Sequence, residues 1–445
     1  MKNSQTLTLL NKKHTFQILD SIEIELEITS NPFGLSIEDL FTMAARINKK
    51  RSFLFVSKVL GKHLPIDPKK GLLIGALLAA RFIEDVKNLE CLEKEKFISS
   101  FYDDKPSFNT ESYIDKSITP IIIGFAETAT ALGHAFFDCF QSADYFHTTR
   151  EEIPEREPEI TFEEEHSHAT AHRCYIQREM IANNREIILV DDEITTGKTA
   201  LNIIQSIHSK HPRDEYTIVS ILDWRSEEDQ QEFIQLENRL GVTIHVVSLL
   251  SGRVQVKQVT ERKEGLTDKK QSGNSGVSVE FFHLSSIFTS FFSHGRVPYI
   301  EETGRFGLQS ERNHSVQQKI TEAATILKQK RTGEKTLCLG TGEFMYIPMK
   351  LAAEMGNGVF YQSTTRSPIY IQDKKGYGAR YGLKFANPDE QTITNFVYNI
   401  PPNHYDEVFV FFEREVEDKN LEPLLRELEK IQLKSVKVVF FSKEV

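Results

Sequence analysis

An apolar run that ends in two adjacent carboxylates constrains the fold of this chain more than any other feature. Residues 188–199 read ILVDDEITTGKT. Neighbouring side chains of a strand point to opposite faces, so a strand covered on both faces would bury Asp191 and Asp192 as costly charges. The sequence therefore predicts that the strand ends at Asp191, at the open carboxyl edge of a sheet, and that the chain then turns into a helix.

Short apolar strands alternate with helical patterns along the chain. TPIIIGF (119–125) has the composition of a buried strand, and TATALGHAFFDCF (128–140) has helical spacing. Helical spacing also predicts a helix at SIEDLFTMAARIN (36–48), with Ser36 as its cap. Such alternation is typical of an α/β fold in which a mostly parallel sheet is flanked by helices.

The length of 445 residues exceeds what one hydrophobic core usually serves, so two domains are expected. The alternating segments RVQVKQV (253–259) and VSVEFFHL (277–284) flank a polar tract, which is either the tip of a hairpin or a linker. The sequence thus predicts a first domain at 20–260, a polar linker or hairpin tip at 261–276, and a C-terminal α/β domain at 277–445.

Charge and cysteine usage exclude several classes of protein. The net charge of −10 argues against a nucleic-acid partner, which normally requires a basic face. The four cysteines are far apart and form no CxxC pair, which argues against a zinc ribbon or a disulfide framework. No apolar signal core follows Met1, and no apolar segment is long enough to span a bilayer. We expect a soluble cytoplasmic protein with no membrane partner.

Two phosphate-binding motifs compete for the TTGKT loop and both fail. A Walker A loop needs glycine where Asp192 stands, and a dinucleotide fingerprint needs three glycines where this stretch has one. Carboxylates at a sheet edge can instead accept hydrogen bonds from two neighbouring sugar hydroxyls, while amides and hydroxyls at a helix start bind a phosphate monoester. The stretch therefore predicts a ribose 5-phosphate site; the alternative is that the acids only cap the next helix. The predicted phosphate ligands are Thr195, Thr196, Gly197, Lys198 and Thr199.

Two upstream segments offer further anion contacts. IIIGFAETATALG (121–133) combines a strand, a loop of small residues and a helix, and its amides could hold phosphates. SKVLGKH (57–63) offers Lys58, Lys62 and His63, either as anion contacts or as a solvated basic loop. Further on, ILDWRSEED (221–229) offers Trp224 and Arg225, which either meet a planar ligand or pack on a helix.

Residues 188–199 resemble the signature of type I phosphoribosyltransferases, of the orotate phosphoribosyltransferase-like kind, which bind 5-phosphoribosyl 1-pyrophosphate (PRPP). The resemblance implies that Asp191 and Asp192 take the ribose hydroxyls and that the loop after them takes the 5-phosphate. It also implies Mg²⁺ bound mainly through the donor, with no dedicated protein metal site. The implied pyrophosphate contacts are Ala126, Glu127, Thr128, Ala129 and Lys58.

The polar stretch 149–173 has the composition of a mobile loop. In the family a hood in this place closes over the reaction centre, which excludes water from an oxocarbenium-like transition state. The resemblance implies that the hood histidines and arginine meet the pyrophosphate or donate protons, although the histidine spacing also permits a metal site. These candidate catalytic residues are His166, His168, His172 and Arg173.

The C-terminal half repeats an earlier pattern at a constant offset of 216 positions, which relates Gly124 to Gly340 and Glu127 to Glu343. TTRSP (364–368) also matches the motif of the TRSP domain, which follows a phosphoribosyltransferase domain in proteins of bacterial tellurium-resistance clusters. We predict that this half is a second lobe that has lost the sugar-binding aspartates and the TTGKT loop. Such a lobe either binds a second phosphate, or only packs against the first domain, forms a dimer or completes the first site. Its candidate residues are Gly340, Gly342, Glu343, Thr364, Thr365 and Arg366.

The function that these patterns favour is an enzyme. A nitrogen of an unidentified base-like acceptor would displace pyrophosphate from PRPP, with Mg²⁺ neutralising the leaving charge, in the biosynthesis of a nucleotide-like metabolite. A non-catalytic sensor of PRPP that signals through the C-terminal lobe is the alternative, and nucleoside or nucleotide cleavage is a third. A homodimer is compatible with either.

Overall fold

The structure of this protein is a computed structural model, which describes part of the chain. The described residues are 13–47, 52–104, 106, 112–154, 156–163, 171–259, 276–289, 291–294 and 297–443.

The first half of the chain carries eleven described strands and seven described helices. The strands are β1 (Lys13–Ile18), β2 (Ile22–Ser30), β3 (Phe41–Ala45), β4 (Phe53–Ser57), β5 (Ile121–Gly124), β6 (Asp144–His147), β7 (Ile160–Glu163), β8 (Ala171–Cys174), β9 (Ile187–Ile194), β10 (Glu215–Asp223) and β11 (Thr243–Val259). The helices are α1 (Ile37–Leu40), α2 (Pro68–Asp85), α3 (Lys94–Tyr102), α4 (Ala129–Phe137), α5 (Arg178–Ile181), α6 (Lys198–Lys210) and α7 (Glu227–Leu240).

The second half continues the alternation of strands and helices. Its described strands are β12 (Ser278–His283), β13 (Phe291–His294), β14 (Val297–Ile300), β15 (Leu308–Gln309), β16 (Thr336–Gly340), β17 (Val359–Ser363), β18 (Gly382–Ala386), β19 (Thr394–Tyr398), β20 (Glu407–Phe412) and β21 (Ser435–Phe440). Its helices are α8 (Ser310–Lys330), α9 (Tyr346–Glu354) and α10 (Asp418–Glu429), and a 3-10 turn lies at Glu301–Thr303.

Two mostly parallel sheets confirm the predicted α/β class. The larger has the order β1-β2-β11-β10-β9-β5-β6-β15, in which the five strands from β11 to β6 are parallel. The smaller has the order β12-β21-β20-β16-β17 and is parallel throughout. The central strands β5 and β20 bury every residue, because each lies between two neighbours under helices.

The segment after β11 lies between two different sheets. β11 pairs with β2 and β10, whereas β12 pairs with β21, so β11 and β12 do not form the hairpin that was one alternative. The predicted tract 261–276 lies outside the described residues except for its last position. The two halves share one hydrophobic cluster, and β15 of the second half pairs with β6 of the first. The division into domains at this tract stays a prediction.

The predicted helix at 36–48 is wrong beyond its first turn. α1 has four residues, and the chain then enters β3, which pairs antiparallel with β4. Phe41 packs edge-on against Phe55 and Trp224, with ring centroids 5.0 and 5.9 Å away. These partners are distant in sequence, and their packing outweighs the local helical spacing.

A strand–helix–strand unit recurs at the offset that the sequence predicted. In the first half Gly124 of β5 pairs with His147 of β6, and in the second Gly340 of β16 pairs with Ser363 of β17. The hydrogen bonds recur as well. Thr148 and Thr364 each donate their amide to the glycine carbonyl at 2.9 Å. The halves therefore contain two copies of one local architecture.

His147 ends β6 and is buried, which gives a testable dependence of stability on pH. Desolvation, with a smaller contribution from the nearby Arg305 cation, lowers the pKa of His147 to about 4. The pKa of a histidine in the unfolded chain is about 6.5. Between pH 6.5 and pH 4 this histidine is therefore protonated in the unfolded state and neutral in the folded state, which lowers the free energy of unfolding. The contribution is fully present above pH 6.5 and is lost as the pH falls towards 4. We expect His147 to account for about 3 kcal/mol of lost unfolding free energy between pH 7 and pH 4.

Urea unfolding of the wild type and of His147→Asn at both pH values measures this contribution. Asparagine keeps a side-chain N–H for the Thr148 carbonyl, to which His147 Nδ1 donates at 2.9 Å. The variant should lose less stability on acidification than the wild type. Equal losses in the two proteins would contradict the assignment.

No helix among the described residues combines the length and the apolar composition needed to cross a membrane.

Candidate functional site

A cleft of about 530 Å³ opens at the carboxyl end of β9. β5 pairs with β9 only as far as Gly124 opposite Val190, whereas β10 accompanies β9 to Ile194. The sheet thus loses one neighbour of β9 just before Asp191. This volume is typical of sites that hold small molecules.

The strand does not end at Asp191, as the sequence had suggested, but continues to Ile194. Asp191, Asp192 and Glu193 are all only half-buried, because β5 has stopped and the cleft lies beside them. Because β5 ends before the acids, their carboxylates reach the cleft and do not have to be buried as charges, so β9 can continue past them. The Asp191 carboxylate accepts the amide of Asp192 at 2.9 Å.

The loop after the acids turns directly into α6. Gly197 has a φ of +79° and precedes Lys198, the first helical residue. A Cβ atom at Gly197 would stand 2.4 Å from Cζ of Phe233, so both backbone conformation and space require glycine there. Gly197 and Thr199 line the cleft, so the start of α6 lies at its wall, and a helix start is a place where proteins commonly bind phosphate.

Most of the residues predicted for the donor line this cleft. They are Ala126, Glu127, Thr128, His172, Asp191, Asp192, Thr195, Thr196, Gly197 and Thr199. Four other predicted residues are described but are not among the lining residues. These are Lys58, Ala129, Arg173 and Lys198.

The loop between β5 and α4 forms a second wall of the cleft. The amide of Ala126 donates to Thr148 Oγ1 at 2.9 Å, so this amide is already engaged within the protein. The peptide bond between Ala126 and Glu127 is cis. Glu127 is buried, its Oε2 lies 3.8 Å from Nη1 of Arg150, and its Oε1 has no hydrogen-bond partner among the described residues.

The lysine on this wall is Lys62, whereas the sequence favoured Lys58. Lys62 lines the cleft and its Nζ donates to Thr128 Oγ1 at 2.6 Å. Lys58 is exposed and donates to the carbonyl of Glu38 at 2.6 Å. His63, which the same segment offered, is buried, and desolvation lowers its pKa well below the usual value.

The β7–β8 hairpin brings one predicted catalytic histidine to the cleft. His172 is buried, and its Nδ1 lies 2.9 Å from Thr148 Oγ1. Side chains alternate along a strand, so Arg173 faces away from the cleft, and its guanidinium donates to the carbonyl of Arg150 at 3.2 Å. His166 and His168 lie outside the described residues. The described part of the chain contains no group of three or more His, Cys, Asp or Glu side chains arranged for a metal ion.

Arg150 and most of an apolar wall are cleft features that the sequence did not predict; the exception is Trp224, for which contact with a planar ligand was one of two alternatives. Arg150 follows β6 and lines the cleft next to Glu127. The only signal for it was its place in the repeated Thr-Thr-Arg pattern, which carries no chemistry by itself. The apolar wall is formed by Phe53, Leu54, Phe55, Ile218, Trp224, Val254 and Val256.

Trp224 joins this wall and Arg225 does not. The Trp224 ring stacks on Phe55, with centroids 4.8 Å apart, and its Nε1 is buried without a hydrogen-bond partner among the described residues. The Arg225 guanidinium instead donates to both carboxylate oxygens of Asp223, at 2.9 and 2.8 Å, and lies over Phe233.

The candidate residues of the second lobe do not line the cleft. Gly342 donates its amide to Thr364 Oγ1 at 2.9 Å, which repeats the bond between Ala126 and Thr148. Thr364 and Thr365 are buried and Arg366 is exposed. Glu343 accepts from Thr149 and from the amide of Arg150, both in the first half.

Several solved structures resemble the chain at low identity. The adenine phosphoribosyl transferase of Trypanosoma brucei, in complex with AMP, pyrophosphate and ribose-5-phosphate, is 13% identical with a TM-score of 0.32, and the match covers 50% of this chain and 82% of that one. The adenine phosphoribosyltransferase of Rhodothermus marinus is 14% identical with a TM-score of 0.28, over 48% of this chain and 95% of that one. The enzyme of Giardia lamblia, complexed with 9-deazaadenine, is 16% identical with a TM-score of 0.22, over 31% and 71%. A search of curated proteins returned no match.

Two protein-family models match the chain in succession. One is described as phosphoribosyl transferase and matches residues 40–253, which include the cleft-lining residues from Arg46 to Trp224 but not Val254 and Val256. The other is described as the TRSP domain, C-terminal to that transferase domain, and matches residues 302–428. Together they cover about three quarters of the chain. The chain thus contains a domain of the phosphoribosyl transferase family followed by a TRSP domain.

Proposed function

We propose that this protein transfers ribose 5-phosphate from PRPP to a nitrogen of a base-like acceptor and releases pyrophosphate. The observation that carries the proposal is that two acids, the loop from Thr195 to Gly197 that turns into α6, and the loop before α4 line a single cleft. Each of these elements has a different part of the donor to bind. Asp191 and Asp192 would accept from the ribose hydroxyls, and the turn from Thr195 to Thr199 would hold the 5-phosphate.

The pyrophosphate end of the donor would lie at the second wall, formed by the loop between β5 and α4. Thr128 and Lys62 offer a hydroxyl and an ammonium there, and Arg150 adds a guanidinium beside Glu127. Cations of this kind stabilise the negative charge that builds up on a departing pyrophosphate. The chain uses positioning and electrostatics for this step, so no covalent nucleophile is required.

Mg²⁺ fits this end of the cleft, because it prefers oxygen ligands and the lining includes carboxylates. Glu127, with one buried oxygen that lacks a partner among the described residues, and the aspartate pair would supply oxygens to an ion bound mainly through the donor. When bound, the ion supplies charge neutralisation on the leaving group.

The hairpin β7–β8 supports the proposed hood. His172 lines the cleft, touches the buried Thr148 and is the described histidine suited to hold or donate a proton near the leaving group. Arg173 would tie the hairpin to the segment after β6, since it donates to the Arg150 carbonyl. His166 and His168 remain predicted hood residues.

The acceptor would bind against the apolar wall of the cleft. Phe53, Phe55 and Trp224 present aromatic surface to the cleft, which suits a flat, weakly polar ring. The buried N–H of Trp224 would find its hydrogen-bond acceptor on such a ring, which compensates for its burial. We extend the proposal to a nucleotide-like product made in the cytoplasm, in the tellurium-resistance context that the TRSP resemblance implies.

Turnover in the presence of unfractionated acceptors tests the proposal. The purified protein is incubated with PRPP, Mg²⁺ and a bacterial small-molecule extract, and pyrophosphate release is measured together with the masses of the products. We expect acceptor-dependent release of pyrophosphate and a new product that is heavier than its acceptor by one phosphoribosyl group. The protein with Asp191→Asn and Asp192→Asn is the control and should release none above background. Donor binding without release by any fraction would favour the PRPP sensor, and the absence of donor binding would overturn the proposal.

A further inference from the structure

Glu343 of the second half reaches the segment that follows β6 in the first half. Its Oε2 accepts from Thr149 Oγ1 at 2.6 Å and its Oε1 accepts from the amide of Arg150 at 2.9 Å. Its carbonyl also accepts from Thr130 Oγ1 at 3.2 Å. A side chain of the TRSP domain thus holds two consecutive residues of the transferase domain from one carboxylate.

The segment that Glu343 holds is part of the cleft wall. Thr148 receives the amide of Ala126 and touches His172, so it links the pyrophosphate loop to the hood hairpin. Arg150 lines the cleft and lies beside Glu127. A shift of Thr148 or Arg150 would therefore displace the loop before α4, the β7–β8 hairpin or the Arg150 guanidinium, all of which lie at the proposed pyrophosphate end.

Glu343 is itself fixed by a buried cluster of charges. Arg305 is almost fully buried; its Nη1 lies 2.7 Å from Oε2 of Glu413 and its Nη2 lies 3.8 Å from Oε2 of Glu343. Arg414 lies 2.7 Å from Glu151, the residue after Arg150. The cluster therefore holds the first-half segment at two neighbouring points.

This cluster occupies the place where the second half would have its own donor site. In the second half Gly340 pairs with Phe411, as Gly124 pairs with Val190 in the first half. The two residues after Phe411, Phe412 and Glu413, therefore occupy the positions of Asp191 and Asp192. Instead of an open cleft, the guanidinium of Arg305 lies against Glu413. By the same offset, Glu343 is the counterpart of Glu127, but its carboxylate contacts the other half.

We propose that Glu343 is a positioning residue, through which the TRSP domain fixes the segment Thr148–Arg150 so that Arg150 stands ready at the pyrophosphate end of the cleft. The proposal rests on the proposed function for its catalytic consequence, but the positioning itself does not depend on it. A preorganised cation binds the pyrophosphate group without first being ordered, so small misplacements of it cost affinity for the donor as well as rate, by up to about 100-fold.

Three variants test the proposal. Glu343→Ala removes both acceptor oxygens, Glu343→Gln keeps one that can still accept from the Arg150 amide, and Glu429→Ala removes an exposed carboxylate from α10 of the same domain. Calorimetry with PRPP and Mg²⁺ should show about a 10- to 100-fold weaker affinity for Glu343→Ala, near-complete rescue by Glu343→Gln and no change for Glu429→Ala. In turnover, KM for PRPP should rise by more than kcat falls.

Hydrogen exchange separates a failure of this proposal from a failure of the proposed function. The amides from Thr148 to Glu151 should exchange faster in Glu343→Ala than in the wild type, while β20 and β21 exchange as before. This readout needs no ligand, so it decides the positioning role even if the wild type does not bind PRPP. Wild-type affinity together with wild-type exchange in a folded Glu343→Ala protein would overturn the proposal, and so would a loss of protection spread over the whole second half.

Discussion

Replacing Asp191 and Asp192 together with asparagine is expected to weaken the affinity for PRPP by at least about 100-fold while the fold stays intact. Hydrogen bonds to a charged group contribute roughly 1.5–3 kcal/mol each, and the exchange removes the charge from two of them. The fold should survive because both side chains are only half-buried at the open edge of the sheet. Titration calorimetry with PRPP and Mg²⁺ measures the affinity, and circular dichroism and thermal unfolding report the fold.

A matched control removes the same charge from a surface outside the cleft. Glu422→Gln with Glu429→Gln neutralises two exposed carboxylates of α10 and should bind PRPP as the wild type does. Comparison of the two double variants separates the local contact from the change in net charge. If the aspartate variant bound PRPP with wild-type affinity, the ribose assignment would be wrong and the proposed transferase with it.

Gly197→Ala is expected to lower the free energy of unfolding by about 2–5 kcal/mol. The left-handed backbone conformation at this position costs an L-residue roughly 1–2 kcal/mol, and forcing a methyl group against Phe233 adds roughly 1–3 kcal/mol. The φ of +79° and the 2.4 Å approach to the Phe233 ring make both contributions unavoidable unless the loop moves. If the loop moves instead, the affinity for PRPP should fall because the phosphate-binding amides shift.

Gly241→Ala is the control that isolates the steric part of this effect. Gly241 has a φ of +68° at the end of α7, but a Cβ atom there would meet nothing within 4 Å. Urea unfolding should therefore show the smaller loss for Gly241→Ala, and Phe233→Leu should partly restore the stability of Gly197→Ala. Equal losses at the two glycines would show that contact with Phe233 contributes nothing.

Local patterns in the sequence were enough to predict which residues lie together in the part of the cleft that we propose for the donor. The acids, the turn and the start of α6 are consecutive in the chain, so their relative placement follows from strand and helix geometry over a dozen residues. The loop before α4 is equally local, and parallel strands bring the carboxyl ends of β5 and β9 together. The repeat at 216 positions also follows from sequence, and its register recurs in the two sheets.

The strand β3 and the position of Lys62 depend on contacts with residues that are distant in sequence, so a local pattern could not predict them. β3 forms as a strand because β4 and Trp224 pack against it, which overrides the helical spacing of the same residues. Lys62 rather than Lys58 reaches the cleft because β17 of the second half holds the intervening loop, where the amide of Ser363 donates to Gly61 at 2.7 Å.

The sequence by itself determined the α/β class and the transferase family, and it predicts which residues bind the ribose and the phosphate, because contiguous residues carry each of these features. Only the tertiary structure decided how far β9 extends, which basic and aromatic side chains complete the cleft, and that Glu343 holds its wall. Those features arise from hydrogen bonds and packing between residues up to about three hundred positions apart. Which local conformation is the more stable at these positions depends on the residues packed against them in the folded protein, and a local sequence pattern does not encode those contacts.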